Sequence, residues 1–577
     1  MNSFRIFFST LDSYHKRKIY LIFLMILLSV FFDTIGIGMV IPIINVLIDN
    51  DFTNKFQFIQ NIIDHLGNPK KEELLISMVV FLLSIFLIKN IFLGILTWKK
   101  ENFTYSVANL YAKKLLNNYC NKPYLFHKNN NSSKLINNLV HETSVASAQF
   151  VLAFIDLIIE IILLSALFFL LLFVEPLVTI VMLLIFAFVG SLYFLLVKKK
   201  MLNYGYIRQK TNVQKLKLYK EFFLNIRFLL IYKKTKRIFN AIFDNLNKIK
   251  NLNTRYTFLQ SFPRLLFEYL IIIIFGFFVI GYIYSDHLLM QNLIPTLALF
   301  SAAAFRMLPS INKIIIKLQN LKYAKSAMEL ISNEINNSNG VKDNKKNEEQ
   351  FIFKNLNFKN VFFNYDNRQD YVIEDATFNI EKGKIYGFIG RTGSGKTTLT
   401  DLIMGLLDVK SGEIKLNNKF DLSEVKFDWH KKIGFVPQNI FLEDDTIKNN
   451  IAYGEFDEEI NKNNLSKSIK SAQLEDFISN LGNGLSTQVG ENGSKLSGGQ
   501  IQRIGIARAL YFNPEILILD EITSSLDSNT EEQILNVIKN LKNEITIILI
   551  THKTSAMVIC DEIFEVNNKK ILKKNEI

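Results

Sequence analysis

Long apolar stretches fill the first half of the chain and short ones fill the second. Six of the long stretches, at 19–47, 74–98, 148–173, 177–197, 265–284 and 289–316, reach the roughly 20 residues that a membrane-crossing helix needs. A buried helix of a soluble protein rarely runs so far without a charged face, so the pattern predicts six transmembrane helices. Residues 331–350 are rich in Asn, Ser, Lys and Glu without apolar periodicity and read as a linker. From 351 onward, short β-type runs alternate with helical ones, the pattern of an α/β domain. The expected organisation is an α-helical transmembrane domain over 1–330, a linker over 331–350 and an α/β domain over 351–577.

The polar segments between spans set the orientation. The segment after the fourth span carries Lys198, Lys199, Lys200, Arg208, Lys210, Lys233, Lys234 and further basic residues, and the one after the second carries Lys99, Lys100, Lys113 and Lys114. The short links at Glu175-Pro176 and 285–287 carry no Lys or Arg. The positive-inside bias places both termini and both long segments in the cytoplasm. Those segments lack Gly clusters and read as helices continuing out of the membrane, with tips near 121–132 and 217–227. Aromatics there, among them Tyr124, Phe126, Tyr219, Phe222 and Phe223, suit either docking into a partner domain or a small core of the hairpin itself. Segment 51–66 reads as an amphipathic helix on the outer surface or as a loop packed on its neighbouring span.

Composition adds little to this picture, but it excludes some classes. The net charge of +14 could mean nucleic-acid binding, yet the basic residues cluster beside apolar spans, so no nucleic acid is expected as a partner. The two cysteines, Cys120 and Cys560, offer no disulfide framework and no thiolate metal site. The first apolar run is too long for a cleaved signal peptide and is expected to be a retained helix.

The chemistry lies in the α/β half. Gly390-Arg391-Thr392-Gly393-Ser394-Gly395-Lys396-Thr397 fits the phosphate-loop template G-x-x-x-x-G-K-[ST]. It follows a strand-like run, 385–389, and opens a helix-like run beginning at Thr398, the context the template requires. Glycines let backbone N–H groups approach phosphate, and the helix N-terminus adds partial positive charge. Lys396 is expected to reach the β- and γ-phosphates of ATP, with Thr397 on Mg²⁺. Downstream, the apolar run 516–519 ends in Asp520-Glu521. There Asp520 is placed to hold Mg²⁺ through water and Glu521 to polarise the attacking water.

Between these two motifs lies Leu496-Ser497-Gly498-Gly499-Gln500. With it, the chain resembles the ATP-binding cassette (ABC) transporter family along essentially its whole length. The resemblance implies further roles. Tyr365 would stack on adenine, and Gln438 would sense Mg²⁺ and the membrane domain. Residues 496–500 would contact the γ-phosphate held by the opposite cassette. Segment 487–493 (TQVGENG) resembles an exporter-type element, Asp527 closes the loop crossing the dimer interface, and His552 is the switch histidine. Two departures are mild. In the interface loop Leu526 follows a Ser rather than the usual Ala, and Lys553 stands where Arg is usual. A membrane domain followed by one cassette is the exporter arrangement. One chain supplies half of what the family needs, so a homodimer in the bacterial inner membrane is expected, with no peptidase domain ahead of the first span.

For cargo, the polar residues at membrane depth are Asp33, Lys89, Asp156, Glu160, Glu268 and Arg306. Arg306 suits either an anionic cargo or an ion pair with Asp33 or Glu160. The stretches 32–45 and 306–309 are similar to bacterial lipid-linked oligosaccharide flippases of protein glycosylation. That resemblance implies movement of a polyprenyl-diphosphate glycan from inner to outer leaflet, with Arg306 near the diphosphate and 51–66 near the lipid tail. Export of another lipid, a drug or a small peptide is the alternative.

Overall fold

The computed structural model describes residues 7–38, 71–174, 176–284, 290–336, 351–365, 370–523, 527–542 and 544–574. Segment 51–66 and residues 524–526 lie outside these, as do the side chains of Asp33 and Arg306. The chain divides into two compact units, one of Met1–Lys122 with Phe126–Val341, the other of Pro123–Leu125 with Lys342–Ile577.

The first unit is helical. Its main helices are α1 (Ser13–Gly38), α2 (Lys71–Cys120), α3 (Leu152–Val174), α4 (Pro176–Leu224), α5 (Lys236–Tyr284), α6 (Met290–Tyr323) and α7 (Lys325–Asn336). Among the described residues, four helices are long and apolar enough to cross a membrane: Leu75–Cys120, Ser132–Phe173, Thr179–Leu224 and Lys236–Ile274. The first and sixth expected spans fall partly on residues outside those described. Helices α2, α4 and α5 hold 50, 49 and 49 residues, well beyond one bilayer thickness, so the polar segments do continue the apolar ones as single helices. The first tip breaks at Asn121–Pro123; the second carries a short helix, Ile226–Tyr232, and turns at Lys233 with φ +50°. Residues 331–336, expected as linker, instead complete α7. Ala327, Met328 and Ile331 are buried along one helical face there, an apolar stripe too short to register beside the polar run that follows.

Two details show how the long helices pack on one another. Pro263 lies inside α5 and has no N–H, which releases the carbonyl of Leu259 one turn earlier. That carbonyl accepts from Tyr193 Oη of α4 at 2.6 Å and Gln319 Nε2 of α6 at 3.2 Å. At Gly205, α4 meets the end of α6 backbone to backbone. A Cβ there would lie 2.1 Å from the carbonyl oxygen of Tyr323, so only glycine fits.

The second unit holds two sheets. Strands β1 (Asn355–Phe363), β2 (Ile373–Glu381), β4 (Ser411–Leu416) and β5 (Phe420–Asp421) form an antiparallel sheet ordered β2-β1-β4-β5. Strands β3 (Ile385–Ile389), β6 (Ile433–Val436), β7 (Ile516–Asp520), β8 (Thr546–Ile550), β9 (Glu562–Asn567) and β10 (Lys570–Lys574) form a sheet ordered β10-β9-β3-β8-β7-β6. In the latter, β9, β3, β8, β7 and β6 run parallel, and β10 is antiparallel. Strands β3 and β8 are buried at every position, and β7 at all but its last. Such uninterrupted apolar runs belong to central strands covered on both faces. Helices α8 (Lys396–Ile403), α9 (Gly498–Tyr511) and α10 (Ser528–Leu541) complete the frame used below.

Candidate functional site

Parallel strands deliver their carboxyl ends to one edge of a sheet, where ligands of α/β proteins bind. Four sequence motifs sit at this edge. The phosphate loop leaves β3, Gln438 follows β6, Asp520 and Glu521 end β7, and His552 follows β8. The interleaved strand order therefore gathers residues separated by more than a hundred positions.

The loop itself is shaped for an anion. Gly393 has φ +82° and a Cβ there would face open space, so the backbone is bare where a ligand would approach. Gly395 caps α8, and Lys396 begins it, so the helix N-terminus opens on the loop. Thr397 is exposed, whereas Thr398 is buried and lies 3.1 Å from Tyr365 Oη through its Oγ1. Tyr365 also meets Phe363 edge to face, with centroids 5.1 Å apart. Ser394 Oγ is buried with no partner, an unmet polar atom inside the loop. Arg391, Thr392, Gly393 and Ser394 share an open polar cleft of about 740 Å³ with Tyr371, Val372, Asn567, Asn568 and Lys569. Those last residues carry no motif in sequence; the approach to β2 brings Tyr371 and Val372 there, and the β9–β10 hairpin brings Asn567, Asn568 and Lys569.

Lys396 folds back over the loop. Its ammonium donates to the carbonyls of Gly390 at 2.8 Å and Arg391 at 3.2 Å. Burial depresses its pKa, opposed in part by Glu521 and Asp520. Asp520 moves the other way, its carboxyl raised by burial and then by the neighbouring Glu521. A cation placed between these carboxylates would relieve both penalties.

Glu521 is the hub. It has φ +49°, a left-handed conformation costly for a side-chain-bearing residue and held here by its N–H donating to Ile550 O at 2.9 Å. Gln438 Nε2 donates to its Oε2 at 2.8 Å, and His552 Nε2 lies 3.1 Å from its Oε1. The same His552 nitrogen lies 2.9 Å from Lys396 Nζ. One ring nitrogen accepts from the lysine or donates to the glutamate, never both. Drawing Lys396 onto a phosphate would release His552 to Glu521.

The 496–500 element is a helix start. Ser497 caps α9, and Gln500 closes a capping box by accepting from Ser497 N at 2.8 Å. Leu496 packs on the adjoining core, and Gly498 and Gly499 open α9. Asp527 caps α10 in the same way, accepting from Thr530 N at 3.1 Å. Lys553, the departure from Arg, donates to Thr523 O at 2.7 Å and Glu531 Oε2 at 2.5 Å. Glu531 had no signal in sequence. Its partners, Lys553 and Ser555, both arrive from beyond the end of β8.

Among the described residues, the charged groups expected at membrane depth meet partners. Asp156 binds Lys100 and Lys317, both at 2.6 Å, and Glu160 binds Lys313 at 2.9 Å. Glu268 binds Arg264 at 2.7 Å, and Lys89 lies 4.6 Å from the Phe86 ring centroid. Glu142 and Arg208, an unanticipated pair, meet at 2.6 Å with Glu142 fully buried.

Comparison with known proteins agrees with this geometry. The ABC transporter family model matches residues 373–524. An ATP-dependent lipid A-core flippase of Pasteurella multocida is 41% identical over 220 residues, 37% of each chain. A protein of the same description from Coxiella burnetii is 38% identical over 223 residues, 38% of this chain and 37% of its own. The chain thus matches well under half the length of these relatives. A solved structure, of a bacterial Atm1-family ABC exporter with ATP bound, superposes with TM-score 0.79 at 20% identity, covering 97% of this chain and 95% of that one. The chain therefore has the fold of an ABC exporter, and its second unit carries the ABC transporter ATPase domain.

Proposed function

We propose that two copies of this chain form an ATP-driven flippase that moves a phosphorylated glycolipid from the inner to the outer leaflet of the bacterial inner membrane. The observation that carries this reading is the convergence of Lys396, Gln438, Glu521 and His552 on one strand-end edge, in a chain whose other unit supplies membrane-length helices. The cargo class rests on the resemblance of 32–45 and 306–309 to lipid-linked oligosaccharide flippases. It is also supported by the lipid A-core flippases, which match 37–38% of this chain. Both cargoes join phosphate, sugar and lipid tail.

The residues fit MgATP: a bare loop with an unmet Ser394 hydroxyl, a lysine held inward, and two adjacent carboxylates with one titrating high. Lys396 and the loop N–H groups would hold the phosphates, Tyr365 the base, and Thr397, Gln438 and Asp520 the metal, which screens phosphate charge. Glu521 orients the attacking water and accepts its proton, and His552 fixes Glu521 by donating to Oε1 once Lys396 turns away. Residues 496–500 of a second copy complete each site, so nucleotide binding favours the closed pair.

The test is reconstitution into liposomes with labelled polyprenyl-diphosphate glycan or labelled lipid A-core. ATP-dependent transfer of one of them, lost in Glu521→Gln, supports the reading. Efflux of a hydrophobic drug with neither glycolipid moved overturns it in favour of a drug exporter.

A further inference from the structure

We propose that the cytoplasmic half of α2 carries a sugar-binding groove, centred on Trp98 and Tyr105, that receives the glycan of the lipid cargo. This rests on the glycolipid reading above and adds a site to it.

One stripe runs along α2 at steps of three or four residues: Val80, Ser84, Leu87, Ile91, Gly94, Trp98, Asn102, Tyr105 and Asn109. All are exposed. Its chemistry changes once. Up to Ile91 the large side chains are aliphatic; at Gly94 there is a notch, where a Cβ would meet nothing within 4 Å. From Trp98 onward the stripe is aromatic and amide-bearing. Trp98 and Tyr105 are 61% and 65% exposed, and seven residues place them about 10 Å apart along the axis.

Against them lies a shallow, open depression lined by Trp98, Glu101, Asn102, Tyr105, Ser106 and Asn109, all on α2. Aromatic rings present an electron-rich face, which suits the weakly positive C–H face of a pyranose. Carboxylate and amide groups pair with neighbouring hydroxyls. Lys99 lies 5.4 Å from the Trp98 ring centroid, so a positive charge stands at the change from aliphatic to polar. A phosphorylated glycolipid has that same order: tail, phosphate, sugar. The aliphatic stripe comes first, Lys99 stands beside Trp98, and Asn102 and Tyr105 follow along one helix, at the end of the expected second span. A second protein chain would instead favour an apolar stripe carried past Trp98.

The chain holds two tryptophans, and Trp429 is fully buried, so quenching by an aqueous ion reports Trp98 selectively. Full-length protein in detergent is titrated with farnesyl diphosphate, with farnesyl-diphosphate-linked N-acetylglucosamine disaccharide, and with lipid A-core. Iodide quenching is followed for wild type and for Trp98→Phe, which assigns the signal. The expected result is saturable protection of Trp98 by a glycosylated probe and not by farnesyl diphosphate. Tyr105→Ala should weaken that affinity about fivefold to tenfold, and Tyr105→Phe should restore it. Protection of Trp98 from iodide without any probe, lost on dilution to monomer, would show a second copy covering the groove and overturn the inference. So would equal protection by farnesyl diphosphate. A transporter that moves a glycolipid in liposomes while Trp98 stays unresponsive refutes the groove and leaves the function standing; one that moves neither glycolipid removes both.

Discussion

The two units treat buried charge in opposite ways. In the helical unit, the described carboxylates at the helix interfaces meet cations: Asp156 takes two lysines and Glu142 takes Arg208, each across helices distant in sequence. At the strand-end edge they compete. One His552 nitrogen faces both Lys396 and Glu521, Asp520 titrates high beside Glu521, and Glu521 holds a left-handed backbone. Satisfied pairs fix helices to one another; unmet groups at a rigid edge await a ligand. The difference separates residues that hold the fold from residues that do chemistry.

The largest test is Glu521→Gln. Phosphate release should fall by about 10²–10⁴-fold while ATP binding persists; an unchanged rate would place Glu521 with the structural charges. Next comes Glu142→Ala, which strands Arg208 in the interior and should cost about 3–5 kcal/mol in thermal or denaturant unfolding. Replacing both partners by Met and Leu should recover much of that loss, because no charge is left unpaired. Tyr193→Phe should cost about 1 kcal/mol, since Leu259 O keeps Gln319 as a donor.

The smallest effect is a slope with pH. The folded carboxyl of Asp520 titrates above its ordinary value of 3.8, so between those values the folded state binds more protons than the unfolded. Ligand-free stability therefore falls as pH rises through that window. Asp520→Asn should flatten the slope and stabilise the protein above it, measured by unfolding at several pH values. Lys396 has the opposite sign. Its depressed pKa makes stability rise with pH through the window below 10.5.

These contrasts also explain what was legible in the sequence. The phosphate loop, Asp520-Glu521 and 496–500 are readable because phosphate and metal chemistry demand particular residues at short fixed spacing. The long helices are readable because apolar runs and basic flanks extend over whole turns. Glu142 with Arg208, and Lys553 with Glu531, are not, because each pair depends on which helix or strand end packs beside which. Asp156 and Glu160 read as pathway residues by depth alone, yet their lysines arrive from α2 and α6. Tyr193 and Gln319 gained meaning only once Pro263 was seen to free a carbonyl between them.

Gly205 makes α4 a lever with a fulcrum. The helix of 49 residues is about 73 Å long at 1.5 Å per residue. The backbone contact with Tyr323 divides it into arms of roughly 43 and 29 Å. Rocking by about 10° there sweeps the Pro176 end through roughly 7 Å and the Leu224 end through about 5 Å, without stretching a hydrogen bond in either arm. Any side chain larger than hydrogen at 205 would lift the helix off that bearing. Both ends of α4 would be displaced together, although the change lies far from each.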